Sequence, residues 1–221
     1  MDGREEPCDS NGRGERDDLD ELIYWTGMAA VAVSAITGVL EAGRKPIDLF
    51  GIALVALATA LGGGTVRDIL LDRPVFWIHD QNYVFCALGA GFATFVLARL
   101  VRLPPNLFLL PDALGLALFT IVGTQIAIVW DVPWLAASVL GVITGVLGGV
   151  LRDMLCNEVP LVFSGVLYGT AAWMGALAYI GLLHNGMPPG PASWIAMAFI
   201  VALRLAALRW RIGVPRFEAR R

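Results

Sequence analysis

The sequence predicts an all-α polytopic membrane protein of seven transmembrane helices, built as two inverted three-helix repeats offset by 85 residues plus one extra C-terminal helix. Three observations carry this expectation. First, 57% of the 221 residues are hydrophobic and only 16% are charged, against about a quarter charged in an ordinary soluble domain. Of the 35 charged residues, 12 fall within residues 1–21 and seven within 204–221, leaving 16 for the 182 residues between. Second, this charge-poor interior is broken every 20–30 residues by Pro, Asp or Arg, the pattern of stacked bilayer-spanning helices. Third, the chain matches itself at a fixed offset. Together these exclude a soluble enzyme, a nucleic-acid-binding domain and a disordered chain.

The elements follow in order. Residues 1–21 hold nine acidic residues and three Arg, with no apolar residue between Cys8 and Leu19; this segment reads as a solvated, disordered acidic arm. It lacks the basic start and short apolar run of a secretory signal. Apolar stretches at 22–42, 49–71 and 83–103 form the first repeat (22–103), and those at 111–130, 134–155 and 161–183 form the second (104–188). The last span, 192–208, lies in the segment 189–211, and a basic tail covers 212–221. Each stretch matches the roughly 20 helical residues that cross a hydrocarbon core. The gaps carry Arg44-Lys45-Pro46, Asp72-Arg73-Pro74, Asp131-Val132-Pro133 and Glu158-Val159-Pro160, where Pro cannot continue the preceding helix and starts the next.

Basic residues near span ends set orientation. With Arg209, Arg211, Arg216, Arg220 and Arg221 cytoplasmic, Arg44, Lys45, Arg99, Arg102 and Arg152 are cytoplasmic as well, and Arg73 is the misfit. Seven spans then place the N-terminus outside and the C-terminus in the cytoplasm. The setting is a cytoplasmic (inner) membrane, with lipid as the first partner. Trp25, Trp77, Trp130, Trp134, Trp194 and Trp210 fall near the expected interfaces, where amphipathic rings belong.

At the 85-residue offset Ile36 meets Ile121, Gly38 meets Gly123, Thr59 meets Thr144, Gly63-Gly64 meets Gly148-Gly149, Arg67-Asp68 meets Arg152-Asp153, and Tyr83 meets Tyr168. Three spans per copy is an odd number, so the second copy enters the membrane from the opposite side. Inverted repeats of this kind build transport pathways where the copies meet.

The doubled motif holds most of the chemistry. Span 2 contains Thr59, Gly62, Gly63, Gly64, Thr65, Arg67 and Asp68, and span 5 contains Thr144, Gly148, Gly149, Arg152 and Asp153. Glycines in mid-span weaken a helix, and a break there frees carbonyls able to replace water around a small cation. The competing reading is packing: Ala56, Ala60 and Gly64, and again Gly141, Gly145 and Gly149, form faces of small residues that let helices touch. The Arg-Asp pairs likewise read either as functional charges or as structural ion pairs near the headgroups. Ser34 and Thr37 in span 1 and Thr120, Thr124 and Gln125 in span 4 are candidates for lining a path, each also able to bond back to its own helix. His79 and His184 have no paired ligands, so no metal site is expected, and the three Cys form no framework. No catalytic set, nucleotide fingerprint or cofactor motif occurs, which argues against an enzyme.

The paired Gly-Gly-Gly-x-x-Arg-Asp and Gly-Gly-x-x-Arg-Asp segments, each followed by a Pro-bearing stretch, resemble the prokaryotic branch of the trimeric intracellular cation (TRIC) channels, whose bacterial relatives are also described as glycine transporters. The resemblance covers about residues 22–208. It implies a homotrimer of seven-span protomers, each with its own pore between the repeats, permeable to potassium and sodium. Carried over by position, Gly62, Gly63, Gly64, Gly148 and Gly149 are the pore kinks, and Arg67, Asp68, Arg152 and Asp153 flank the pore. Leu147 stands where the pattern asks for a third glycine. The alternative is a carrier for a small zwitterion such as glycine, its carboxylate and ammonium bound by the Arg-Asp pairs. A third reading is a purely structural or lipid-binding membrane protein.

Overall fold

The structure is a computed structural model that describes residues 10–101, 107–163, 167–210 and 212–213. Its elements are α1 (Ser10–Ala42), α2 (Leu49–Leu70), the one-turn α3 (Phe76–His79), α4 (Asn82–Leu100), α5 (Leu109–Val129), α6 (Trp134–Leu155), a 3-10 turn at Leu161–Phe163, α7 (Gly169–His184) and α8 (Pro189–Trp210). Among the described residues, six helices are long and apolar enough to cross a membrane: Asp17–Ala42 of α1, then α2, α4, α5, α6 and α8.

Two expectations change. The span expected at 161–183 is not one helix, because Leu161–Phe163 forms a separate 3-10 turn and α7 starts only at Gly169, giving 16 residues. Its beginning is tied back to α6, where the Leu161 amide donates to Asp153 Oδ2 at 2.9 Å. The acidic arm is shorter than expected, since α1 begins at Ser10 and residues 10–21 are its first turns. A formed helix extends at little cost per residue. Residues 1–9, most of the basic tail and the Leu103-Pro104-Pro105 punctuation lie outside the described residues.

Four helices stop in the same way. Asp72, Asp131 and Asn157 take positive φ of 51°, 55° and 54°, and Gly186 takes 80°. In each case the next amide reaches the carbonyl five residues back: Arg73 to Asp68, Val132 to Ala127, Glu158 to Asp153, and Met187 to Leu182. This double-bonded left-handed cap closes off the last carbonyls, and a Pro follows within three residues each time. Asp131→Gly is therefore expected to be neutral or stabilising by up to ~1 kcal/mol, because glycine adopts this φ without strain; the thermal unfolding midpoint reads the effect.

Two apolar clusters form the core. One joins α1, α2 and α4 through Ala30, Val31, Ala35, Val55, Ala60 and Ala87, and the other joins α5, α7 and α8 through Leu116, Ile121, Tyr179, Ala196 and Ile200. Small residues dominate the first, which brings backbones close. The start of α1 and the end of α5 line one cavity, so these two helices run antiparallel. Outside the spans, Lys45 pairs with Glu158 and ties the loop after α1 to the loop after α6. That hydrogen bond lowers the Glu158 pKa and raises that of Lys45. The pair is thus complete at neutral pH and is lost as pH falls through the depressed Glu158 value.

Candidate functional site

The two Arg-Asp pairs have one shared local geometry. Arg67 Nε donates to Asp68 Oδ1 at 2.8 Å, and Arg152 Nε donates to Asp153 Oδ1 at 2.8 Å. The second carboxylate oxygen accepts the amide eight residues on, from Phe76 in one copy and Leu161 in the other, both at 2.9 Å. Asp68 and Asp153 therefore fold the chain back after each helix and hold the neighbouring guanidinium. The arginines face into the bundle, 3% and 0% exposed.

Beyond this the copies differ. In the second repeat Arg152 Nη1 donates to Asp112 Oδ1 at 2.7 Å, and Tyr168 Oη donates to the same oxygen at 3.3 Å. Arg204 Nη2 lies 3.9 Å from Asp112 Oδ2, while its Nη1 donates to the Leu167 carbonyl and its guanidinium lies over the Tyr168 ring. Two cations and two carboxylates thus make a neutral, buried cluster, as charges away from water require partners, although Asp112 Oδ2, Arg152 Nη2 and Arg204 Nε make no hydrogen bond. The adjoining cavity, lined by Ser34, Thr37, Thr59, Asp112, Arg152 and Tyr168 among others, has a volume of about 10 Å³, room for about one water.

In the first repeat Arg67 has one carboxylate partner, Asp68, which also takes Arg73 Nε at 3.6 Å. The position equivalent to Asp112 is Gly27. There the bundle holds a cavity of about 250 Å³, lined by Asp20, Tyr24, Gly27, Arg67, Arg73, Tyr83 and Trp130 among others. Arg73 lies over the Trp130 ring, which explains a basic residue on what the charge rule makes the outer side.

The two cavities lie toward opposite ends of α5, one reaching Trp130 and the other Asp112, residues about 27 Å apart along the helix at 1.5 Å per residue. Phe119 borders both. Its equivalent in the first repeat is Ser34.

The glycines do not break their helices, because α2 and α6 each run uninterrupted through them. They instead allow a backbone crossing. A Cβ on Gly63 would lie against the Thr144 carbonyl, and one on Gly148 against the Thr59 carbonyl, both inside 3.0 Å. Each glycine Cα–H thus points at a carbonyl of the partner helix, a weak but recurrent attraction at helix crossings. The expected small-residue faces turn elsewhere: Gly141 and Gly145 pack on Thr124 and Thr120 of α5, Gly64 on Phe76, Gly149 on Tyr168, and Gly62 on Leu151.

Of the expected polar lining, Ser34, Thr37 and Thr59 border the smaller cavity. Thr120, Thr124 and Thr144 sit in the α5–α6 contact, with Thr124 and Thr144 bonded to carbonyls one turn back. Thr65 bonds Leu61 and accepts from Trp77 Nε1. Gln125 turns to α8, donating to Ser193 Oγ at 2.9 Å. Asp112 and Arg204 were not among the expected site residues. Asp112 reads as a span-start acid and Arg204 as part of the basic tail, although its place inside an apolar run was a signal of burial.

Comparison with known proteins gives the same duplication. The sequence pattern of the family described as "Glycine transporter" matches residues 24–99 and again 109–184, two segments whose starts differ by 85. The inner membrane protein YadS of Escherichia coli (strain K12) is 39% identical over 200 residues, covering 89% of this chain and 96% of that one. A membrane protein of Vibrio cholerae is 39% identical over 201 residues, covering 89% and 83%. The TRIC channel orthologue from Rhodobacter sphaeroides superposes with a TM-score of 0.82 at 34% identity, over 86% of this chain and 99% of its own. The chain belongs to the TRIC family. A second TRIC cation channel structure gives a TM-score of 0.77 at 31% identity, over 89% and 97%. As a TRIC family member it is an all-helical, multi-pass membrane protein, and its bacterial relative is an inner membrane protein.

Proposed function

We propose that this protein is a channel for monovalent cations, K⁺ and Na⁺, in the inner membrane, assembled as a homotrimer with one pathway per protomer between inverted three-helix repeats. The N-terminus lies outside and the C-terminus in the cytoplasm. The structural relatives described as cation channels support this reading. One observation of this chain carries it: two cavities reach toward opposite ends of the bundle and share Phe119 as a lining residue. Phe119 is the barrier of the resting pathway, and Ser34, Thr37 and Thr59 offer oxygens beyond it. The second reading, a carrier for a zwitterion such as glycine, is favoured by the family's description and by the paired arginines of the larger cavity.

The test is flux. Purified protein in liposomes is expected to dissipate a K⁺ gradient faster than empty vesicles, and Phe119→Ala to raise that flux on the order of tenfold, equivalent to ~1.4 kcal/mol of barrier. Phe119→Trp is expected to reduce it. Size-exclusion profiles check that both variants assemble. Saturable uptake of labelled glycine without ionic current overturns the channel reading in favour of the carrier.

A further inference from the structure

The two copies of the motif solve one electrostatic problem differently. In the second repeat the inward guanidinium of Arg152 and the hydroxyl of Tyr168 converge on a single carboxylate, that of Asp112. In the first repeat the equivalent donors, Arg67 and Tyr83, are both present and both border the larger cavity. The carboxylate is missing, because Gly27 occupies its place on α1. Tyr83 Oη nonetheless faces that place: a Cβ added to Gly27 would lie 3.5 Å from it. A second cation, Arg73, also borders the cavity, and its Nε is buried without a hydrogen-bond partner.

Charge points the same way. Among the described residues Asp68 is the one carboxylate paired with Arg67 and Arg73, and both of its oxygens are already engaged by Arg67 and the Phe76 amide. The nearest other acid on the cavity wall is Asp20, which is exposed. Beside a cavity of about 250 Å³, two guanidinium groups face one inward carboxylate, with the exposed Asp20 as the other acid of the wall. An anion there gains charge-assisted hydrogen bonds of the kind Asp112 makes.

We infer that the cavity of the first repeat binds a small carboxylate, held by Arg67 and Tyr83 as Asp112 is held by Arg152 and Tyr168, with Arg73 as the second cation. The ligand replaces from solution the group that the second repeat carries on its own chain. This assignment does not rest on the cation pathway, and binding is measured here without flux.

The experiment is thermal unfolding of the purified full chain in detergent micelles at neutral pH, titrated with sodium acetate against sodium chloride at matched ionic strength. A ligand that binds only the folded state raises the midpoint in a saturable way. Acetate is expected to do so beyond the chloride control, glycine to do the same, and methylamine, which lacks the carboxylate, to have no effect. Arg67→Met is expected to weaken acetate about ten- to a hundredfold, the loss of one hydrogen bond to a charged group. The decisive variant is Gly27→Asp, which places a carboxylate where there is room for its Cβ. It is expected to raise the midpoint in chloride and to abolish the response to acetate, and it keeps the test open if Arg67→Met does not fold. No acetate-specific, saturable shift in the parent overturns the inference. So does a Gly27→Asp variant that responds to acetate like the parent.

Discussion

Replacing Asp112 by Ala is expected to destabilise the protein by about 3–5 kcal/mol, the cost of breaking a buried ion pair from one side. Asp112 is 5% exposed and sits between Arg152, which is fully buried, and Arg204, at 1%. Without it, two guanidinium groups share one remaining carboxylate, Asp153, whose oxygens already serve Arg152 and the Leu161 amide. The prediction has a sharper form in the double variant. Arg204→Met removes the cation that Asp112→Ala strands, so the two together are expected to cost less than the sum of the single changes, by 1–3 kcal/mol of coupling. Asp112→Asn, which keeps an acceptor but loses the charge, is expected to fall between parent and Asp112→Ala. Thermal midpoints of the four proteins of the cycle measure this, and additivity within about 0.5 kcal/mol sinks the cluster as a unit.

The same cluster shows what was legible in the sequence and why the rest was not. The offset of 85 is a property of residue identity, so it survives without coordinates, and it located both Arg-Asp pairs, both glycine groups and the Tyr83–Tyr168 match. Asp112 is where the copies disagree, and self-comparison highlights agreement. Its partner Arg204 belongs to α8, the helix outside the repeat, so no internal comparison reaches it. Loop ends were legible because Asx residues followed by Pro carry their own stop signal. The 161–183 stretch misled because apolar composition does not distinguish a continuous span from a 3-10 turn pinned by an aspartate eight residues upstream. Gln125 and Thr65 were polar residues inside apolar spans, and each found a partner on another element, which is the commonest fate of a buried polar group.

The asymmetry would bear on the proposed pathway. Arg67 and Arg152 occupy equivalent places at opposite ends, yet Arg152 is held by two carboxylates, Asp112 and Asp153, while Arg67 is held by Asp68 and borders the larger cavity. Between them Phe119 stands where exact repetition would place a serine. The repeat supplies the scaffold, and the different residues at 27/112 and 34/119 make its two halves chemically unequal.

Gly63→Ala and Gly148→Ala are expected to be among the most damaging one-carbon changes in the chain. Either Cβ would sit inside 3.0 Å of a main-chain carbonyl of the partner helix, Thr144 or Thr59. A backbone atom within a helix cannot rotate away, so α2 and α6 must separate by roughly an ångström, an overpacking cost of about 1–3 kcal/mol or more. That separation also moves Thr59 and Gly148, which border the smaller cavity, so flux is expected to fall along with stability. Gly62→Ala discriminates this account from one in which the glycines act by bending. Its Cβ meets only the Leu151 side chain, which can turn aside, and the equivalent position already carries Leu147. Crossing geometry predicts that Gly62→Ala keeps most of the stability and flux, whereas a hinge at the glycines predicts that Gly62→Ala, Gly63→Ala and Gly148→Ala lose flux alike. Gly89→Ala and Gly181→Ala, with nothing within 4 Å of the added carbon, are the controls and are expected to be neutral. Midpoints and K⁺ flux measured on the five variants decide between contact and hinge.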